Sequence, residues 1–391
     1  MKTTKLFILI FSTVLTASGL SAQSDRKDTT NNSHILKSEE YERLIQKPSC
    51  LEQYIPNQTG PLFKIGSDEN NPPDSTFRVL EYDVPSDSII IHGWLYLPLG
   101  DGKYPLIVLT NGGGDGSRAI KSMSDFMAPI FAHCGIAAFV HDKRGTGKSG
   151  GIFRHTTYED YIRDAGNCGI FFSHHKNINP EIIGIMGASE GGRVAVVAAG
   201  RYPVFKFVIS QAGTVVSAID DRLYAQMGYY KNSGTSDSLI QVIMPLWSQS
   251  FEAWASNDPL KHTIMNNQID EFRKSYKRDL LPFKKEEMDT IQEFNVVLPT
   301  WNSLQYDYLS ELKTFNKKWL AIFGDVDLVV PTQASIENIK HFMDISGNKN
   351  YTIAILPRCG HTPIDKKTNR RIPFENLMIN WMNINVLNKK K

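Results

Sequence analysis

IIGIMGASEGGRVAVVAAG, residues 182–200, sets a short apolar run against a helix-length run of small and apolar residues, with Gly187, Ser189 and Gly191 at the junction. The first half is bounded by glycine and too short for a helix, so it reads as a buried strand. The second half reads as a helix. A Gly-x-Ser-x-Gly at a strand-to-helix turn has a mechanical meaning: the turn tips the serine hydroxyl out of the sheet, and the flanking glycines let the backbone turn without overlap. The helix also aims its first amides at developing negative charge. A glycine-rich turn that merely contains a serine is the competing reading, and the strand and helix on either side argue against it.

A serine hydroxyl is a weak nucleophile without a base and an acid to orient that base. In a fold of this kind the order is serine, acid, histidine. KWLAIFGDVDLVVP, residues 318–331, supplies Asp325 and Asp327 after a strand, and ILPRCGHTPID, residues 355–365, supplies His361 after the next. Both lie at strand C-terminal ends, where open parallel sheets place their sites. Asp327 is preferred because it lies deeper in its loop and precedes LVVP, while Asp325 suits a turn-stabilising role. Of the ten histidines, position singles out His361. Two backbone amides are expected to receive an oxyanion: that of Glu190, directly after the serine, and that of Gly113 in TNGGGDG, residues 110–116.

Working outward, FRVLEYDV (77–84) and IIIHGWLYLP (89–98) are separated by turn formers and read as an antiparallel pair. PLIVLT (105–110), IAAFVH (136–141), FKFVIS (205–210), KWLAIF (318–323) and YTIAIL (351–356) suit strands buried on both faces. Helix-length segments lie at 117–133, 157–175, 190–201, 332–345 and 373–386. This alternation predicts an α/β fold with a doubly wound, mostly parallel sheet. Residues 214–316 interrupt it with helical patterns rich in large apolar groups, including Tyr230, Trp247, Phe251, Trp254 and Trp301. A connection of that length predicts a mainly helical cap, its aromatics serving chiefly as cap core.

GASEGG, HDKRGTGKSGG (141–151), FGDVDLVVP (323–331) and the final CGH together resemble the α/β-hydrolase superfamily, in its bacterial esterase and serine-aminopeptidase-like branch. The resemblance spans about residues 77–386 and implies a Ser189, Asp327, His361 triad beneath a variable cap. Asn111 stands where many members have His before the oxyanion glycines, and Ala188 replaces a frequent His before the serine. Ester hydrolysis through an acyl-enzyme, with no cofactor, is the expected activity. Peptidase, aminopeptidase and thioesterase chemistry use the same triad, and the cap decides among them.

Two other readings compete. Gly145, Gly147 and Gly150 spell Gly-x-Gly-x-x-Gly, but several extended segments precede them, and no acidic residue follows at the end of a next strand. GTGKS imitates a phosphate loop, yet Asp142 occupies the position of its first glycine. HDKRGTGKSGG is therefore expected to be a structural loop near the site. A non-catalytic small-molecule binding protein could keep the fold, but the ordered triad and glycine loop oppose that reading.

Composition sets the setting. Lys plus Arg at 43 against Asp plus Glu at 41 leaves a formal net charge of +2, which argues against nucleic acid as the main partner and for a small ester or acyl substrate. MKTTKLFILIFSTVLTASGLSA, residues 1–22, has two lysines, a short apolar run and small residues ending at Ala22. It is expected to be a signal peptide that exports the chain to the periplasm or the medium. Nothing later is long and apolar enough to be a membrane span. The expected organisation is then an extension or linker over 23–75, hydrolase core over 76–213, cap over 214–316 and core again over 317–391. Cys50, Cys134, Cys168 and Cys359 show no CxxC spacing, so no metal site is expected, and pairing and oligomeric state stay open.

Overall fold

The computed structural model describes residues 34–52, 76–114, 123–256, 258–276 and 304–388. The expected signal peptide, residues 23–33 and 53–75 of the expected extension, the start of the 117–133 helix, Trp301 and the Trp254 side chain lie outside the described residues.

Eight strands form one sheet: β1 (Phe77–Ser86), β2 (Ile89–Pro98), β3 (Tyr104–Thr110), β4 (Ala137–His141), β5 (Ile178–Ala188), β6 (Phe207–Gln211), β7 (Lys318–Gly324) and β8 (Tyr351–Leu356). Their order is β1-β2-β4-β3-β5-β6-β7-β8. β1 pairs antiparallel with β2 and β2 with β4, and every later pairing is parallel. The order reverses where β3 lies between β4 and β5. This is the doubly wound, mostly parallel sheet expected from the alternation of apolar runs, and it has the α/β-hydrolase architecture that the resemblance implies.

The strands are apolar throughout because both faces are covered. Along β3, Leu106 and Val108 enter one core while Ile107 and Leu109 enter the other. Trp319, Ala321 and Phe323 of β7 likewise alternate with Leu320 and Ile322, as the two-residue period of a strand requires. One face is covered by α3 (Tyr158–Ser173), α4 (Glu190–Arg201) and α8 (Thr332–Ser346). The other is covered by α2 (Ala128–His133) and α9 (Phe374–Asn385). α2 is shorter than the segment 117–133 because a π-helical turn occupies Met123–Met127.

Over its described part the extension packs against the hydrolase core. Helix α1 (Ser38–Leu44) buries Leu44, Leu51 is buried after it, and both join the second core. Asn376 and Asn380 of α9 donate to the carbonyls of Ile45 and Leu44 at 3.1 and 2.9 Å. Ile35 forms a parallel bridge with Ile353 of β8. A disulfide joins Cys50 to Cys134 across 84 residues, and Cys168 and Cys359 are free and buried. The polar composition hid this packing because a handful of apolar anchors and one covalent bond carry it.

Between β6 and β7 the described chain is helical: α5 (Ala218–Asn232), α6 (Asp237–Ser256) and α7 (Pro259–Tyr276). Tyr230, Ile240, Ile243, Trp247 and Phe251 form a small core of their own. The Trp247 indole donates to the Tyr230 hydroxyl at 2.9 Å, so these two aromatics hold helices together, while Tyr229 is exposed.

Candidate active site

The site stands at the C-terminal ends of β3, β5, β6, β7 and β8. Ser189 follows β5 with φ 56° and ψ −123°, a left-handed-side conformation costly for a residue with a Cβ. The neighbouring glycines explain how the turn closes. A Cβ on Gly187 would lie 2.0 Å from the Gly191 carbonyl, and one on Gly191 would lie 2.5 Å from the Thr110 carbonyl. The Thr110 hydroxyl is 3.0 Å from the Met186 carbonyl and 2.9 Å from that of Gly191, pinning β3 against the turn. The Ser189 carbonyl accepts from the amides of Gly192 and Arg193, which starts α4.

Gln211, the last residue of β6, links the serine to the histidine loop. Its carbonyl accepts from the Ser189 amide at 2.8 Å, and its side-chain amide donates to the His361 carbonyl at 3.2 Å. The structure brings His361 and Asp327 together, with Nδ1 3.0 Å from Oδ2. The Asp327 side chain is fully buried, and its other oxygen accepts from the amides of Val329 at 2.7 Å and Val330 at 3.0 Å. Three hydrogen bonds hold the carboxylate in place, and with Nδ1 donating to it Nε2 is left as an acceptor. The Asp327 carbonyl in turn accepts from the Tyr224 hydroxyl of α5 at 2.8 Å. Asp325 does something else: it accepts from the Cys359 amide at 3.1 Å and braces the β8 loop against the β7 loop.

Gly113 and Glu190 share the walls of a cavity of ≈ 130 Å³ with Ser189. Glu190 opens α4, where the first amides have no partner within the helix. A Cβ on Gly112 would lie 3.8 Å from the Ser189 Cβ, so the glycine loop runs alongside the turn. Asn111 donates to the His141 carbonyl at 2.7 Å and ties that loop to the end of β4.

The segment 141–151 folds around Asp142, whose carboxylate accepts from the Lys148 amide at 2.8 Å. Gly147 has φ 52°, and a Cβ there would lie 2.1 Å from that carboxylate, which accounts for the glycine without a nucleotide. The segment also delivers a residue that sequence reasoning missed. The buried Lys143 ammonium lies 2.6 Å from Glu190 Oε1, 3.3 Å from the Gly114 carbonyl and 4.7 Å from the centre of the Tyr161 ring. It clamps the glycine loop to the residue after the serine. Arg193, also buried, pairs with Asp221 of α5 at 2.7 Å and lies over the Tyr308 ring. The only sequence signal for Lys143 was its place directly after a strand end, and Arg193 reads as one more helix residue.

With this geometry in place, the known relatives are informative. The serine aminopeptidase S33 family model matches residues 104–366. A thiohydrolase, aneE, from Aspergillus aculeatus is 30% identical over 128 residues, 32% of this chain and 38% of that protein. A putative dipeptidyl aminopeptidase from Schizosaccharomyces pombe is 24% identical over 217 residues, 52% of this chain and 26% of that protein. The chain thus spans well under half of each of these relatives. Among solved structures, the α/β hydrolase GrgF from Penicillium sp. sh18 superposes with a TM-score of 0.51 at 14% identity, covering 80% of this chain and 99% of that one. The Pyrococcus furiosus esterase PF2001 gives a TM-score of 0.51 at 13% identity, covering 81% and 93%. At such identities the superpositions speak to fold alone, whereas the family model covers most of the hydrolase core. The chain is a member of the serine aminopeptidase S33 family of α/β hydrolases.

Proposed function

We propose that this protein is a serine hydrolase cleaving carboxylic esters, with Ser189 as nucleophile, His361 as general base and Asp327 as the acid that orients it. The observation that carries the reading is the 3.0 Å contact between His361 and a fully buried Asp327, on the loops two and three strands along the sheet from a serine held at positive φ. His361 Nε2 takes the Ser189 proton as Oγ attacks the ester carbonyl, and Asp327 stabilises the imidazolium. The Gly113 and Glu190 amides receive the oxyanion, each worth roughly 3–4 kcal/mol in the transition state. His361 returns the proton to the leaving alcohol. Water then repeats the sequence on the acyl-enzyme and releases the acid.

A second reading, aminopeptidase action, is favoured by the description of the family the chain belongs to. Hydrolysis of short acyl esters beside aminoacyl anilides separates the two: turnover of anilides alone moves the assignment to peptidase. We also propose export. The signal-like residues 1–22 motivate it, and the Cys50–Cys134 disulfide fits an oxidising compartment. Among the described residues no helix is long and apolar enough to cross a membrane.

A further inference from the structure

The cavity beside Ser189 carries an unbalanced charge. Its walls include the Asp221–Arg193 ion pair at 2.7 Å and Glu190, whose charge is met at 2.6 Å by Lys143, a buried residue outside the lining. They also include Arg222, on the second turn of α5, which has no carboxylate partner among the described residues. The lining carboxylate Asp221 is engaged by Arg193, which leaves the Arg222 guanidinium as the uncompensated charge. Tyr158 lines the same cavity, and its hydroxyl donates to no acceptor among the described residues. Burial pushes that phenol far above its ordinary pKa, against a pull downward from Arg193 and Arg222, so it stays a neutral donor. A half-buried cation and a neutral O–H donor facing one small cavity form a recognition pair for an oxyanion, since planar guanidinium donors match a carboxylate. At ≈ 130 Å³ the space suits a short chain; each water it would hold occupies about 30 Å³.

We propose that Arg222 and Tyr158 form a carboxylate-binding subsite, and that the substrate is a short ester bearing a carboxylate a few atoms from the scissile bond. This rests on the ester-hydrolase reading above and narrows its substrate class. The carboxylate belongs either to the acyl half or to the alcohol half, and both place the same charge beside Arg222.

The test compares isosteric pairs in a pH-stat: monomethyl glutarate against methyl pentanoate for the acyl half, and the butanoyl ester of 3-hydroxypropanoate against propyl butanoate for the alcohol half. In the native protein one anionic ester is expected to exceed its neutral partner in kcat/KM by about tenfold or more, chiefly through KM. Arg222→Gln is expected to bring that ratio near one, and Arg222→Lys to keep part of it. Glutarate titrated calorimetrically into Ser189→Ala protein reads the subsite without turnover, and its affinity is expected to fall about tenfold when Arg222→Gln is added. Equal rates within both pairs, a preference that survives Arg222→Gln, or glutarate binding indifferent to Arg222 overturns the proposal. Absence of turnover with glutarate binding intact and Arg222-dependent contradicts the hydrolase reading and supports the subsite.

Discussion

His361 Nδ1 and Asp327 Oδ2 lie 3.0 Å apart, while Asp327 Oδ1 is fixed by the amides of Val329 and Val330. The carboxylate is therefore locked from both sides before any substrate arrives. Asp325, two residues earlier, is engaged by the Cys359 amide. Asp327→Asn is expected to lower kcat by roughly 10³–10⁴-fold, because the amide permits the wrong imidazole tautomer. Asp325→Asn loses only a loop brace, so its activity loss is expected to be far smaller. Steady-state kinetics on one ester check the order, and the reverse ranking reassigns the acid.

Lys143 joins three parts of the site, the glycine loop, Glu190 and the Tyr161 ring. Lys143→Met removes a charge whose partner is largely buried, and breaking such pairs costs about 3–5 kcal/mol. The variant is expected to unfold at lower temperature and to lose kcat while KM holds, since the clamp sets the proposed oxyanion amides more than the ground-state pocket. A changed KM with unchanged kcat contradicts that role.

The Cys50–Cys134 disulfide fastens the 34–52 segment to α2. A disulfide typically contributes about 2–4 kcal/mol. The double variant Cys50→Ser, Cys134→Ser is expected to lose that much in urea unfolding, and reductant is expected to lower the native midpoint without affecting the variant.

His141 is buried at the end of β4, its Nδ1 3.0 Å from the Asp142 carbonyl and its Nε2 enclosed without a hydrogen-bond partner. Burial holds this imidazole below its ordinary pKa of 6.5. The unfolded chain binds a proton below that value that the folded chain refuses, so stability is full above about pH 6.5 and falls as pH drops further. Urea unfolding near pH 7.5 and 5.5 measures the loss, and His141→Phe is expected to shrink the difference between the two.

Much of this was legible in the sequence for a physical reason. Strands buried on both faces must be apolar at every position, so PLIVLT, IIGIMG and KWLAIF stand out, and the turn at Ser189 demands glycines that the eye can find. Asp327 and His361 were legible because parallel sheets deliver loops in chain order. Lys143, Arg193 and Arg222 were not: the first two meet partners 47 and 28 residues away, and a charged residue in sequence looks the same whether it faces water or a cavity. The packed 38–51 stretch was obscured by its polar composition, which three buried or bonded residues outweigh.

The proposed mechanism stands on Ser189 as a nucleophile activated by His361. Labelling of the folded protein with a fluorophosphonate, followed by mass spectrometry of the modified peptide, tests it most directly. A single adduct on Ser189 is expected, lost in Ser189→Ala and slowed by roughly 10³-fold or more in His361→Ala. Well-folded protein that takes no label, or that is labelled at the same rate in His361→Ala, contradicts it.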